Sequence, residues 1–251
     1  MTNEEFTSIT SVETPFIEAL NKVFVKFYVG KKEQEYTIFR KTPLGDYVWK
    51  AHHIVSEIKQ NLEDIRFAER MLNEQSPDAL ILKKGEDAAH VIRYHYENYI
   101  LRMTKIRDLS LALINHIMMF KIKKGLNMET RVLKLLDPKY GKFEIIWRYM
   151  KELTDYIKPY RNHLAHNGTI QHEDLALLSA HYNFELDLKD IREQFRYEMA
   201  MNHVQEELIE KFTAQIKAYL HNSEEVLKLI YVYLTKPFLD CLELLVKAHN
   251  A

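Results

Sequence analysis

Glycine and proline are scarce in this chain, and that scarcity limits the folds open to it. Six residues of each type occur among 251. A turn-rich all-β domain needs many more of both at its turns, so long helices are favoured. Because 47% of the residues are apolar, the chain can also bury a sizeable core. These features predict an all-α fold.

Several stretches place apolar residues at helical spacing without an internal breaker, which is typical of helices in a bundle. We predict helices over Asp46–Glu74, Glu86–Lys124, Met128–Leu136, Asp190–Tyr219 and Ser223–Ala248, with Asn222-Ser223 as a cap between the last two. Residues 169–188 are expected to be irregular. Residues 43–251 are therefore predicted to form one α-helical bundle of five or six helices.

The N-terminal segment, residues 1–42, has a different character. Val23–Val29 is β-branched and aromatic, Gly30 suggests a turn, and Glu35–Arg40 alternates in part between polar and apolar residues. This pattern predicts a β-hairpin over residues 22–41. A lone hairpin is marginal in water, so it is expected to pack on the helices or on another chain.

Cysteine usage and hydropathy indicate the compartment. The single cysteine, Cys241, has no partner for an internal disulfide, and the sequence begins without a charged and then apolar leader. The longest apolar run, residues 109–120, is too short for a membrane helix of roughly twenty residues. We therefore expect a cytoplasmic protein that does not enter a membrane.

Charge is unevenly distributed along the chain. Residues 102–151 carry twelve lysines and arginines against four acidic residues, whereas residues 173–210 carry ten acidic residues against three basic ones. Such asymmetry is compatible with a basic surface for a phosphate-rich ligand beside an acidic flank. Solvated helix faces of differing composition explain the charge counts equally well.

Chemically active side chains are concentrated in Arg161-Asn162-His163-Leu164-Ala165-His166. An apolar stripe from Phe143 to Leu164 leads into this segment. Pro159 should kink that helix or restart it just before Arg161, and Asn167-Gly168 should end it at or just after His166. On a helical wheel, Asn162 and His166 are neighbours, and Ala165 lies between Arg161 and His166.

The residue types in this segment suit acid–base chemistry on a phosphate. An imidazole can transfer protons near neutral pH, and a guanidinium can stabilise a charged phosphate in a transition state. Asn162 can hold a ribose or phosphate oxygen, or fix the tautomer of the imidazole. The alternative is structural, because an arginine and a histidine near a helix end often only cap carbonyl groups or bind a carboxylate.

A metal site is a further alternative. His163, His166 and His172 stand beside Glu173 and Asp174, all of which are possible ligands. The adjacent Arg161 would repel a dication, and the spacing is not that of a known zinc hydrolase. We therefore predict neither a metal ion nor another cofactor.

The Arg161-Asn162-x3-His166 spacing resembles the R-N-x3-H motif of HEPN domains, which lies late in an α-helical bundle. The resemblance implies a HEPN-type fold over residues 43–251 and a metal-independent endoribonuclease. In that family two protomers pair so that two motifs face one RNA cleft. The implied reaction is attack of a ribose 2′-hydroxyl on the adjacent phosphate, which gives a 2′,3′-cyclic phosphate and a free 5′-hydroxyl.

The resemblance also implies roles for individual residues. Arg161 and His166 match the catalytic pair, with Asn162 as the polar residue beside the arginine. Candidate substrate-binding residues are His163 within the motif and three residues of the second long helix: Glu97, Arg102 and Asp108. These three could equally be ordinary residues of the bundle surface.

The family context implies partners and a setting. RNA, a second copy of the chain, and an antitoxin or nucleotidyltransferase-type protein are the expected partners. Bacterial or archaeal toxin–antitoxin systems, stress responses and phage defence are the expected settings. Two alternatives stay open: a non-catalytic HEPN module that binds RNA or nucleotides, and a helical interaction protein in which Arg161 and His166 are structural.

Overall fold

The computed structural model describes residues 13–74, 88–136, 143–170, 172–183 and 190–250, whose regular secondary structure is entirely helical. The helices are α1 (Pro15–Tyr28), α2 (Glu33–Arg40), α3 (Pro43–Glu74), α4 (Ala88–Ile117), α5 (Met128–Leu135), α6 (Phe143–Asp155), α7 (Lys158–Asn167), α8 (Glu173–Asn183) and α9 (Ile191–Asn250). The predicted all-α class is confirmed. Within the described ranges, no helix is both long and apolar enough to cross a membrane.

The predicted N-terminal hairpin is wrong, because helices α1 and α2 occupy its place. The Thr14 hydroxyl accepts a hydrogen bond from the Ile17 amide at 3.4 Å, and Pro15 occupies the first turn, so the start of α1 is capped. Phe16, Ile17 and Leu20 are buried at helical spacing. The β-branched and aromatic residues that suggested a strand therefore extend a helix whose apolar face is already buried.

Aromatic contacts hold α1 against the start of α3. The Phe24 ring stacks on the His52 imidazole with ring centroids 3.5 Å apart. The Tyr28 hydroxyl donates a hydrogen bond to the Gly45 carbonyl at 2.8 Å. The Phe24 and Tyr28 rings also stack on each other with centroids 4.8 Å apart. In a strand their Cα atoms would lie about 13 Å apart, so this packing favours the helix.

The chain divides into two compact units. The first contains Met1–Asn61, Lys105–Leu153 and Asn222–Ala251, and the second contains Leu62–Thr104 and Thr154–His221. The motif segment therefore belongs to the second unit. The domain division predicted from the sequence, residues 1–42 and 43–251, stays a prediction.

Aromatic residues fill the core of the first unit. The Phe16 ring lies 5.6 Å from the Tyr231 ring and 5.3 Å from the Phe238 ring, and all three side chains are buried. Tyr47 stacks on the other side of Phe238 at 5.8 Å and donates its hydroxyl proton to the Ile117 carbonyl at 3.1 Å. These contacts tie α1, α3, α4 and α9 together within this unit.

Tyrosines fill the core of the second unit. The Tyr96 and Phe212 rings stack 3.7 Å apart, and the Tyr96 hydroxyl donates to the side-chain oxygen of Gln215 at 2.8 Å. The Tyr219 hydroxyl donates to the Met103 carbonyl at 3.3 Å. These contacts join the part of α4 that belongs to this unit with the matching part of α9.

The two helices predicted near the C-terminus are a single helix, α9, of 60 residues. Asn222-Ser223 was expected to separate them, but Ser223 is fully buried in the helix. The buried seam passes through it from Tyr219 to Leu227 and Ile230. Continuous burial of this face outweighs the weak capping preference of the serine.

Two further boundaries differ from the prediction. Residues 169–188 were expected to be irregular, yet they contain α8, which buries Leu175 and Leu178 one turn apart. Helix α4 ends at Ile117, well before Gly125. The helix stops early because the following chain turns back and buries Ile122. The predicted helix over Met128–Leu136 is confirmed as α5.

Candidate functional site

The motif lies on its own short helix, α7, because the preceding helix stops before it. Helix α6 ends at Asp155, and α7 begins at Lys158 with Pro159 in its first turn. The Arg161 amide donates a backbone hydrogen bond to the Ile157 carbonyl at 2.9 Å, which forms the first turn of α7. Proline has no amide proton to donate, so it is well tolerated in the first turn, where no helical partner for that proton exists. The predicted restart just before Arg161 is confirmed.

A glycine ends α7 one residue after the motif. Gly168 has a φ of 78°, in the left-handed region, and its amide donates to the Leu164 carbonyl at 2.9 Å. A side chain is disfavoured in that conformation, which explains the glycine. The predicted end of the helix is confirmed, and it leaves His166 in the last turn.

The three candidate catalytic side chains are exposed to solvent. Leu164 is the buried residue of α7, at 8% exposure, and it anchors the helix. Arg161, Asn162 and His166 are all exposed. An Arg161 guanidinium nitrogen donates to the Asn162 side-chain oxygen at 3.4 Å, a long hydrogen bond between two adjacent residues of the motif.

The ion pairs of the described residues bear on the role of the motif. Across the residues that the structure describes, neither Arg161 nor His166 forms an ion pair with a carboxylate. The structural alternative predicts such a pair or a bond to a backbone carbonyl. An exposed arginine without one contributes little to folding, so a structural role is the weaker explanation.

His163, a candidate for substrate binding, is held by its own helix. The Asn167 side-chain amide donates to the Nδ1 atom of His163 at 3.0 Å. His163 is half-buried, unlike its neighbours Asn162 and His166. The imidazole is thereby directed toward the end of α7, apart from the exposed face that carries Arg161 and His166.

Glu97 contacts the segment that follows the motif. One of its carboxylate oxygens accepts a hydrogen bond from the Ile170 amide at 2.8 Å, and Ile170 is only 4% exposed. Glu97 thus fixes the chain four residues after His166. The sequence left open substrate binding or an ordinary surface position for Glu97, and substrate binding stays a prediction. The contact supports a positioning role, which the sequence did not indicate.

Arg102 and Asp108 are not brought into this arrangement. The Arg102 guanidinium pairs with Asp64 at 3.1 Å and donates to the Asn98 side-chain oxygen at 3.1 Å. Its charge is therefore already neutralised within the second unit. Asp108 is exposed and belongs to the first unit.

Tyr99 and Tyr156, whose hydroxyls meet just before α7, were not predicted from the sequence as site residues. The hydroxyls of Tyr156 and the buried Tyr99 are 2.7 Å apart, and burial raises the pKa of Tyr156. Tyr156 is half-exposed, as is Tyr160, which immediately precedes Arg161. The sequence signal that could have identified this surface is the spacing of Tyr156 and Tyr160, which are one helical turn apart and precede Arg161. Their exposed faces offer surfaces on which bases could stack.

The histidine after α7 is structural. The His172 ring meets the Phe212 ring edge to face at 5.4 Å, and its Nδ1 atom lies 3.7 Å from an Asp174 carboxylate oxygen. Burial lowers the pKa of His172, and the nearby Lys211 lowers it further. Among the described residues, no group of three or more histidine, cysteine or acidic side chains is placed to hold a metal ion.

No protein-family model matches this sequence, no curated protein is detectably similar to it, and no solved structure is similar to its fold. The residues of α7 and their surroundings are therefore the basis from which we infer a function.

Proposed function

We propose that the chain is a metal-independent endoribonuclease of the HEPN type, with Arg161, Asn162 and His166 as its catalytic residues. The observation that carries this proposal is the exposure of all three side chains on a short helix anchored by Leu164. A guanidinium and an imidazole that face solvent, with no carboxylate partner among the residues that the structure describes, are available to a phosphate.

The chemistry assigns a role to each residue. His166 removes the proton from the ribose 2′-hydroxyl, whose oxygen then attacks the adjacent phosphorus. The bond to the 5′-oxygen breaks, and that oxygen must receive a proton as it leaves. Arg161 stabilises the negative charge on the phosphate oxygens, and Asn162 holds one of them or orients Arg161 through their shared hydrogen bond.

The reaction favours a site built from two copies of the chain. The attacking and leaving oxygens lie on opposite sides of the phosphorus, so one imidazole cannot easily serve both. A second motif would supply the other imidazole and a second guanidinium. We therefore propose that the active form is a homodimer, with His166 of each copy facing the shared RNA.

The basic stretch, residues 102–151, has fewer cations available to bind RNA than its charge count suggests. Several of its cations are paired with carboxylates: Arg102 with Asp64, Lys105 with Glu57, and both Arg107 and Lys151 with Glu129. Paired cations release fewer counterions on RNA binding and contribute less to affinity. The exposed residues Lys158 and Arg161 lie closer to the chemistry in sequence and should contribute more to RNA binding.

The proposal is tested with purified protein, a single-stranded RNA and EDTA. We expect cleavage by the wild type, and a loss of about 100-fold or more in rate for both Arg161→Ala and His166→Ala. Arg196→Ala and His221→Ala are matched controls, since both residues are exposed in the same unit. Circular dichroism checks that each variant is folded.

The outcomes separate the alternatives. Cleavage that survives both motif substitutions overturns the assignment. RNA binding without cleavage, weakened by Arg161→Ala, would indicate a non-catalytic RNA-binding module. Absence of both, together with a lower stability of Arg161→Ala, would indicate a structural role for the motif.

A further inference from the structure

In the first unit, α4 is followed by a strained segment, residues 118–127, which we call the basic loop. The Met119 amide donates to the His116 carbonyl at 3.0 Å, and the Phe120 amide donates to the Asn115 carbonyl at 3.1 Å. This pair of bonds is a Schellman cap. Met119 holds the position usually given to glycine, with a φ of 54°, and Lys121 has a φ of 56°.

The side chain of Asn115 fixes the loop in this conformation. Its amide nitrogen donates to the Ile122 carbonyl at 3.0 Å, and its oxygen accepts from the Ile122 amide at 3.1 Å. The Ile122 side chain is 6% exposed. Two hydrogen bonds and one buried side chain thus hold a backbone that is otherwise unfavourable. A loop held in one conformation loses little freedom on binding.

The surface of the basic loop is cationic with an apolar tip. Leu126 is fully exposed, at 106% of its reference area, and Met119 is 41% exposed. Lys121, Lys123 and Lys124 are exposed, and none of them forms an ion pair within the described part of the chain. An isolated leucine surrounded by cations resembles an interface anchor with a charged rim.

A groove with the opposite character lies in the second unit; it is named here the acidic groove. Its volume is about 490 Å³. Apolar side chains from α9 contribute Val204, Leu208 and Ala214, and the charged lining consists of Asp174, Glu207, Glu210 and Lys211. With neutral histidines, three carboxylates against one ammonium give the groove a net negative charge. Two imidazoles also contact these carboxylates: His203 lies 3.3 Å from Glu207, and His172 lies 3.7 Å from Asp174.

We propose that the basic loop of one copy binds in the acidic groove of a second copy. The three lysines equal the three carboxylates in number and carry the opposite charge. Leu126 is apolar, as are the side chains that line part of the groove. A volume of about 490 Å³ is ample for a leucine and the stem of a lysine. The proposal concerns self-association and does not depend on ribonuclease activity.

The contact should be weak and sensitive to salt. Ion pairs at an exposed rim add little each, and a single leucine anchors a small area. We expect association in the micromolar range that weakens as salt is raised, because screening acts on exposed charges. If the loop of each copy binds the groove of the other, the assembly closes as a dimer. If each copy binds a different neighbour through its loop and its groove, larger species form at higher concentration.

Sedimentation velocity of the full-length chain, with charge-reversed variants, tests the proposal. One variant reverses the loop (Lys121→Glu, Lys123→Glu and Lys124→Glu), and the other reverses the groove (Asp174→Lys, Glu207→Lys and Glu210→Lys). Each variant alone has like charges at both surfaces, so its self-association should weaken at least tenfold. Mixed in equal amounts, the two variants have opposite charges at both contacts and should associate again.

A matched control reverses three exposed lysines outside the loop: Lys22→Glu, Lys31→Glu and Lys32→Glu. This control should associate as the wild type does, and Leu126→Ala should weaken association without any change of charge. A wild type that stays monomeric up to about 100 µM overturns the proposal. So does a mixture of folded loop and groove variants that fails to associate. Self-association that neither the loop variant nor the groove variant weakens is the result expected of a dimer formed only through α7, and it overturns the loop–groove contact without affecting the ribonuclease proposal. Loss of RNA cleavage in Arg161→Ala and His166→Ala is measured separately and tests the ribonuclease proposal alone.

Discussion

Replacing Glu97 with alanine should loosen the chain immediately after the motif. The Glu97 carboxylate accepts the hydrogen bond of the Ile170 amide at 2.8 Å, and the Ile170 side chain is almost fully buried. Alanine removes the acceptor and leaves that amide without its partner. The segment that joins α7 to α8 would then be held by Ile170 and its apolar neighbours alone.

The size of the effect follows from the type of bond. A hydrogen bond to a charged group is worth about 1.5–3 kcal/mol, and Glu97 is partly exposed, so we expect about 1–2 kcal/mol. Since 1.4 kcal/mol corresponds to a factor of ten, opening of this segment should become about 5- to 30-fold more frequent. Glu97→Gln keeps an acceptor oxygen and should cost less than half as much free energy.

Hydrogen exchange at the Ile170 amide measures this opening directly. A global unfolding experiment is less suitable, because a local opening of this segment can occur without unfolding of the rest of the chain. Exchange at Ile170 should accelerate about 5- to 30-fold in Glu97→Ala. Exchange at Gly168, whose amide is bonded to Leu164, should change little and serves as the internal control. Unchanged exchange at Ile170, or equal acceleration in Glu97→Gln, would refute the positioning role.

Two further predictions concern stability. Met119→Gly should raise the free energy of unfolding by about 0.5–1 kcal/mol, because glycine adopts the φ of 54° without strain. Ala112→Gly within α4 is the control and should lower the free energy of unfolding by a similar amount. Denaturant melts in which both variants change the stability in the same direction would contradict this. Burial, helped by the charge of the neighbouring His53, lowers the pKa of His52 from 6.5 to about 4. The unfolded chain therefore binds this proton first, so the contribution of His52 to stability is complete above about pH 6.5 and is lost as the pH falls toward 4. His52→Phe should flatten the acid side of the stability profile in part, since burial also lowers the pKa of His116, and an unchanged slope would show that the buried imidazole is not responsible.

The motif helix was predictable because its boundaries are set by local chemistry. Proline favours the first turn of a helix, where Pro159 lies, and Gly168 meets the need for a left-handed residue at its end. The wheel positions of Arg161 and His166 also required only the helical period. Such signals depend on a few adjacent residues, so the sequence contains them in full.

The N-terminal hairpin failed because strand propensity there is overruled by tertiary packing. Residues 23–29 favour a strand taken alone, but the Phe24 and Tyr28 rings stack 4.8 Å apart and both contact Trp49 of α3. In a strand these two residues would lie about 13 Å apart, so this packing favours the helix. The division of α9 failed in the same way, since Ser223 is buried in a continuous seam. A capping preference of about 1 kcal/mol cannot compete with burial along the length of a helix.

The surroundings of the motif were only partly predictable. Sequence indicated Glu97 and Arg102 as polar residues of the same helix, but not that one would hold the Ile170 amide and the other would pair with Asp64. Both contacts join residues far apart in the chain. Side-chain spacing within one helix carries no information about such partners.

The most direct test of the central claim is an analysis of reaction products in EDTA with an RNA and its 2′-deoxy counterpart. Attack by the ribose 2′-hydroxyl requires that group, so we expect cleavage of the RNA alone. The products should carry a 2′,3′-cyclic phosphate and a 5′-hydroxyl, and they should not form with His166→Ala. Cleavage of the 2′-deoxy substrate, or products that carry a 5′-phosphate, would contradict the chemistry assigned to Arg161 and His166.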